Sequence, residues 1–348
     1  MENYDRIERL IKGESIDRVP VIPHMEAFAG KICNVSTEEF YLNPKTSYDC
    51  QVWSKELFKY DGGHGYDIPY GYVEEFGGKI EFPKGEFLSF PRIVERPVKT
   101  KNDVDKLVIN KDCNGFLSSR LEEFNRITFE KGEGVYVSGG SPLNIVQAIL
   151  GIDTLMRWTI KEKDLLHRVI RFSTDYLLYM AEKAVKEYGA ENVSSGFACP
   201  VECHGLMSSK TFEKFSLPYL KEIYDKYNEM GINIDSVHLC GDHKNNLSYW
   251  KNDIGLKDRT IITVGTEFDL VELSKEMSDR YIIGGHLKNV TLQTGKPVDV
   301  YNEARELIES MKGFKGGYIL TPDCTLSFLT PSANLYAMVK AAEDFGKY

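Results

Sequence analysis

The sequence predicts an α/β fold, a (β/α)8 TIM barrel with an N-terminal helical extension, with residues 1–348 forming one domain. Three observations predict it. Short β-branched runs alternate with long amphipathic segments, the pattern of parallel strands joined by helices. About eight such runs occur, the number a closed (β/α)8 barrel needs. The glycine fingerprint G-x-G-x-x-G that would mark a doubly wound nucleotide-binding sheet is missing after every run.

Taken in order, the strand candidates are VPVIPHM (19–25), a glycine-rich segment near YDGGHGYDIPY (60–70), GVYVSGG (134–140), NVSSGFA (192–198), SVHLCG (236–241), TIITVGT (260–266), RYIIGGH (280–286) and GGYILTP (316–322). The second is the weakest, because glycine disfavours extended structure. Between them, Ser36 and Glu39 make a capping box that opens a helix. Residues 161–189 carry Leu165, Leu166, Val169, Ile170, Leu177, Met180, Ala181 and Ala184 on one stripe and end at a glycine. Near the C-terminus, Thr330 is placed to cap a helix with Pro331 at its first position.

Composition narrows the function. A net charge of −9 opposes binding to a phosphate backbone, so no nucleic-acid partner is expected. No stretch approaches the roughly 18 apolar residues of a membrane span, and the start MENYDRIERLIKG has no apolar leader core. The seven cysteines are scattered and odd in number, as in a reduced cytoplasmic protein. The expectation is a cytoplasmic enzyme with a small substrate and no membrane association.

In a barrel the active face lies at the C-terminal ends of the strands. Those ends carry His24, Glu26, Ser141, Glu202, Cys203, His204, His238, Cys240, Glu267, His286 and Cys324. Residues two apart on a strand point the same way, so His238 and Cys240 project together. Imidazole and thiolate are both zinc ligands, and a catalytic zinc commonly has three protein ligands and one open position. The same pair also describes a buried cysteine beside a core histidine. For a third ligand, Cys324 competes with Cys203 and His204, and spacing leaves the choice open.

The stretches VHLCGD and, some eighty residues later, GGYILTPDCTLSFLTPSANLYAMVKAAEDFG resemble the uroporphyrinogen decarboxylase superfamily in its corrinoid-dependent methyltransferase branch. DRVPV, EEFGGKIEFP, ERPVKTKNDVDKL, SGGSPLNIVQAILG and SSKTFEKFSLPYLKEIYDKYNEMG extend the likeness along nearly the whole chain. The resemblance implies a (β/α)8 fold and Zn2+ held by His238, Cys240 and Cys324. It further implies transfer of a methyl group between a corrinoid protein and a small substrate, a thiol or a methyl ether such as a methoxyarene. No D-x-H-x-x-G motif occurs, so the cobalamin is expected on a partner protein. Glu202 and Glu267 are candidates for a fourth ligand or for hydrogen bonds to one. His24, Glu26 and His286 are candidates for substrate contact, and His243 is expected to face solvent. The founding decarboxylases carry a basic R-Q-A-G-R-Y segment, whereas this chain has VIPHMEAFAGKICN with a lone Lys31, which opposes a polycarboxylate substrate. Decarboxylation and a non-catalytic corrinoid-protein partner stand as the alternatives.

Overall fold

The computed structural model describes residues 5–84, 90–138 and 140–348. An antiparallel hairpin of β1 (Lys79–Glu81) and β2 (Arg92–Glu95), not foreseen from the sequence, precedes six longer-range strands. These are β3 (Val135–Ser138), β4 (Val193–Ala198), β5 (Asn233–Leu239), β6 (Ile261–Val264), β7 (Ile282–Leu287) and β8 (Tyr318–Pro322). They pair in parallel and in chain order, as successive β/α units require. Six of the eight expected runs are therefore strands. Gly139, within the 134–140 candidate, lies outside the described residues, as do residues 1–4.

The other two runs differ from expectation, for a physical reason. Residues 19–25 form no regular strand, yet the Ile22 amide donates to the Leu320 carbonyl at 3.0 Å and Leu320 donates to Pro20 at 2.9 Å, extending the sheet beyond β8. The next position is taken by the start of the 60–70 segment, where the Asp61 amide donates to the Val21 carbonyl at 2.7 Å. The Val21 amide then donates to the Asp61 carboxylate at 2.8 Å instead of to a neighbouring backbone carbonyl. A side chain has replaced the ladder, and the glycines that follow do not resume it. The result is a barrel-type α/β fold with six regular strands and two irregular staves.

The N-terminal extension closes the end of the barrel opposite the strand exits. Leu10, in the helix Asp5–Ile11, packs on Ile261, Ile282 and Ile319, with Ile7, Ile11, Ile16 and Ile22 around them. Arg6 and Arg18 reach the same buried carboxylate, Asp61, at 2.6 and 2.9 Å. The remaining helices match their patterns. The helix Lys163–Tyr188 ends at Gly189, whose positive φ of 82° favours glycine. Ser36 accepts from the Glu39 amide at 3.1 Å at the start of the helix Thr37–Leu42. Thr330 does not cap the last helix: Ser332–Phe345 starts after Pro331, and the Thr330 hydroxyl is buried without a hydrogen-bond partner. No described helix is long and apolar enough to cross a membrane.

Because Asp61 neutralises two buried guanidinium groups and completes a strand edge, Asp61→Ala is expected to destabilise the protein by about 3–5 kcal/mol. Urea unfolding monitored by circular dichroism measures this; a loss below about 1 kcal/mol would contradict the role given to Asp61.

Candidate metal centre

β5 delivers His238 one residue before its end and Cys240 one residue after it. The chain then turns at Gly241, whose φ is 87°; a Cβ there would lie 3.0 Å from the Cys203 Cβ. Glycine is thus required both for the backbone angle and for the close approach of the loop above. From the other side, the loop after β8 brings in Cys324. That loop is tied down at three points. The Asp323 amide donates to the Leu287 carbonyl and Leu326 to that of His24, at 3.0 and 3.1 Å. Asn289 Nδ2 donates to the Thr325 carbonyl at 3.0 Å.

The outcome is a tight group: one ligand atom each from His238, Cys240 and Cys324 lie within 4.8 Å of one another. The two sulfurs are 4.0 Å apart, too far for a disulfide and close to the roughly 3.8 Å between two sulfurs on a tetrahedral zinc. His238 Nδ1 lies 2.9 Å from Thr263 Oγ1. With Nδ1–H donating there, the other ring nitrogen, Nε2, keeps its lone pair, and it is buried without a partner. Thr263 is in turn seated against Gly284 of β7, where a Cβ would come within 2.6 Å of its methyl group. Hydrogen bonding from Cys240, with the His238 ring close by, pulls the Cys324 thiol down to about 4, while the same bond and burial push Cys240 upward. Cys324 is therefore the sulfur that loses its proton first. An orphaned imidazole nitrogen, a ready thiolate and a second thiol fit a soft divalent cation.

The other sequence candidates fall into distinct places. Cys203 packs beside Gly241 but lies outside the three-ligand group, as does His204, whose amide donates to the Asp242 carbonyl at 2.7 Å. Glu202 is fully buried away from that group: the Ser141 hydroxyl donates to its Oε1, Ser216 donates at 3.0 Å, and Oε2 has no partner. Burial pushes Glu202 up to about 7. Glu267 is exposed, and its charge bears on Cys240. His286 Nε2 sits 2.8 Å from the Phe268 carbonyl, which ties its ring to the loop after β6. His243 is a correction. Expected in solvent, it is fully buried with Nε2 2.8 Å from the Cys199 carbonyl, because the loop 199–204 folds over the exit of β5.

His24 and Glu26 stand at the exit of the first stave, both with positive φ, 48° and 37°, unusual for residues with a side chain. The two rings of His24 and His238 have centroids 6.3 Å apart, and burial holds the His24 imidazole down near 4, so it is neutral. Glu26 accepts from the Thr325 hydroxyl at 2.8 Å, next to Cys324. It is reachable by water yet walled by protein, and that enclosure pushes its carboxyl up to about 7. Sequence reasoning missed Thr263, a polar residue inside the apolar run IITV.

Comparison with known proteins gives a consistent picture. The family model described as Uroporphyrinogen decarboxylase (URO-D) matches residues 2–345. The methylcobamide:CoM methyltransferase MtbA of Methanosarcina mazei is 24% identical over 98% of this chain and 97% of its own length. The methylcobamide:CoM methyltransferase MtaA of Methanosarcina barkeri is 23% identical with the same coverages. A solved methyltransferase from Methanosarcina mazei superposes with a TM-score of 0.80 at 22% identity, covering 99% of each chain, which establishes the shared fold.

Glu202 supplies a test of the electrostatics of the buried core. Its folded-state value, about 7, lies above the ordinary 4.5, so its stabilising contribution is complete below about 4.5 and is lost as pH rises through 7. Glu202→Gln mimics the protonated form. The variant should gain up to about 3 kcal/mol relative to the parent between acidic and alkaline pH. Denaturant unfolding across that range checks it; a pH-independent difference would contradict the buried, neutral carboxyl.

Proposed function

The chain belongs to the uroporphyrinogen decarboxylase family, and from that premise we propose that it is a zinc-dependent methyltransferase working as one barrel domain. It moves a methyl group between a corrinoid carried by a partner protein and a small substrate, a thiol in the first instance or a methyl ether such as a methoxyarene. The observation that carries this reading is the convergence of His238, Cys240 and Cys324 at the C-terminal ends of β5 and β8. The relatives named as methylcobamide:CoM methyltransferases, matched over nearly their whole length, support it.

Zinc held by these three residues would supply a Lewis acid that keeps a substrate thiol as thiolate at neutral pH. The chain's own groups do the rest. Thr263 holds the Nδ1 proton of His238 and thereby aims the free nitrogen at the two sulfurs. Cys324, already poised as thiolate, needs no proton removed to bind a cation; Cys240 gives up the proton shared between them. Glu26, near 7 and adjoining the Cys324 loop, is the group suited to take the proton a substrate thiol sheds. His24 stays neutral and adds no positive charge beside the site.

Tetrapyrrole decarboxylation fits poorly. Lys31, the one cation in the segment after the first stave, donates to the carbonyls of Phe328 and Thr330 at 2.8 and 3.2 Å and is not available to a substrate carboxylate.

His238→Ala and Cys324→Ala should each lose zinc and turnover while far-ultraviolet circular dichroism stays unchanged; full zinc content in Cys324→Ala would remove that residue from the ligand set. Thr263→Val should weaken zinc binding by about 10–100-fold, the usual effect of losing the partner of a metal-bound histidine. Turnover is read from cobalamin absorbance, with methylcobalamin and a thiol panel and with cob(I)alamin and a methoxyarene panel. Activity with neither, together with carbon dioxide release from uroporphyrinogen, would replace this reading by decarboxylation.

A further inference from the structure

Cys324 comes from a segment without regular structure. Residues 323–331 link β8 to the helix Ser332–Phe345 and contain neither helix nor strand. Such a segment takes its shape from what it binds, and a sulfur on it would otherwise sample many positions. Cys240 differs, because it continues directly from β5. Keeping the two sulfurs 4.0 Å apart therefore depends on what fixes the backbone on either side of Cys324.

One residue fixes both sides. Asn289 opens the short helix Asn289–Thr294, just after the end of β7. Its backbone amide donates to the Asp323 carboxylate at 3.2 Å, and its side-chain Nδ2 donates to the Thr325 carbonyl at 3.0 Å. Asp323 and Thr325 are the chain neighbours of Cys324, so a bridge from a single residue spans the cysteine. The bridge is reciprocal. The first amides of a helix have no carbonyl partner within it, and the Asp323 carboxylate meets that need while Asn289 reaches across to Thr325. Asp323 is anchored in turn, its amide donating to the Leu287 carbonyl at the end of β7 at 3.0 Å. The position of Cys324 is thus referred to β7, a strand of the sheet that also holds β5 and β8.

The Asn289 side chain bears a cost for this. Its Oδ1 is buried without a hydrogen-bond partner, so half of the amide is unsatisfied. A side chain selected only to stabilise the fold gains little from an amide met at one end. Held beside the ligand segment, the same amide meets a geometric requirement instead.

We propose that Asn289 is a positioning residue for the metal centre: its bridge from Asp323 to Thr325 sets the Cys324 sulfur relative to Cys240 and His238. This rests on the three-ligand reading above and goes beyond it, since Asn289 acts through its neighbours and is not itself a ligand.

The test measures zinc affinity by competition with a chromophoric chelator, for the parent, Asn289→Ala, the near-isosteric Asn289→Leu, and Val290→Ala. Val290, the next residue of the same helix, is 65% exposed and serves as the control. Both Asn289 variants should bind zinc about 10–100-fold more weakly, the usual effect of removing a group that orients a ligand. Val290→Ala should match the parent, and far-ultraviolet circular dichroism should be the same for all four proteins. Amide exchange of the zinc-free proteins, read by mass spectrometry, should quicken over residues 323–326 in the Asn289 variants and stay unchanged in β5. Zinc affinity within about twofold of the parent in both Asn289 variants, or an equal loss in Val290→Ala, would overturn the assignment. A parent that takes up no zinc defeats the three-ligand reading, and Asn289 is then judged by exchange alone. Unchanged exchange over 323–326 defeats the bridge as well.

Discussion

Two sulfurs 84 residues apart in the chain lie 4.0 Å apart in space, and most of the structure is arranged to keep them there. Neither is on a free loop. Cys240 extends a buried strand, and Cys324 sits in a segment fastened to β7 on one side and to the first stave on the other. Such an approach is unfavourable without a third party, because two thiolates repel and two buried thiols satisfy each other poorly. The protein accepts a partial solution, a shared proton with Cys324 as the more acidic sulfur, and leaves His238 Nε2 without a partner. These are the properties expected of ligands organised in advance of their ion.

That preorganisation depends on distant features. Thr263 orients His238, and the absence of a side chain at Gly284 leaves room for Thr263. At the opposite end, Leu10 and the buried Asp61 with its two arginines hold the strand starts and the irregular staves in line. Glu26 inherits its position from those staves. Burial raises the carboxyl groups of both Glu26 and Glu202.

Much of this was legible in the sequence, and the rest was not for identifiable reasons. The six regular strands announce themselves as β-branched runs, and the H-x-C pair follows from strand periodicity alone. The choice of Cys324 over Cys203 did not follow from spacing and came from the family resemblance; in space it is Cys324 that lies with His238 and Cys240. The first and second staves were misread as strands because Asp61 completes the edge with its side chain, an interaction between residues 40 apart that no local pattern encodes. His243 was misplaced because a polar neighbourhood in sequence, DHKNN, is covered by the loop 199–204 in space.

The central claim is that His238, Cys240 and Cys324 together bind one zinc ion and leave a position for substrate. X-ray absorption at the zinc edge of the purified, zinc-loaded protein tests it most directly. The account predicts two sulfur neighbours at about 2.3 Å and one imidazole nitrogen at about 2.0 Å, with a further light-atom neighbour replaced by a third sulfur when a thiol is added. A shell of oxygen and nitrogen without sulfur, or three sulfurs before any thiol is present, would contradict it.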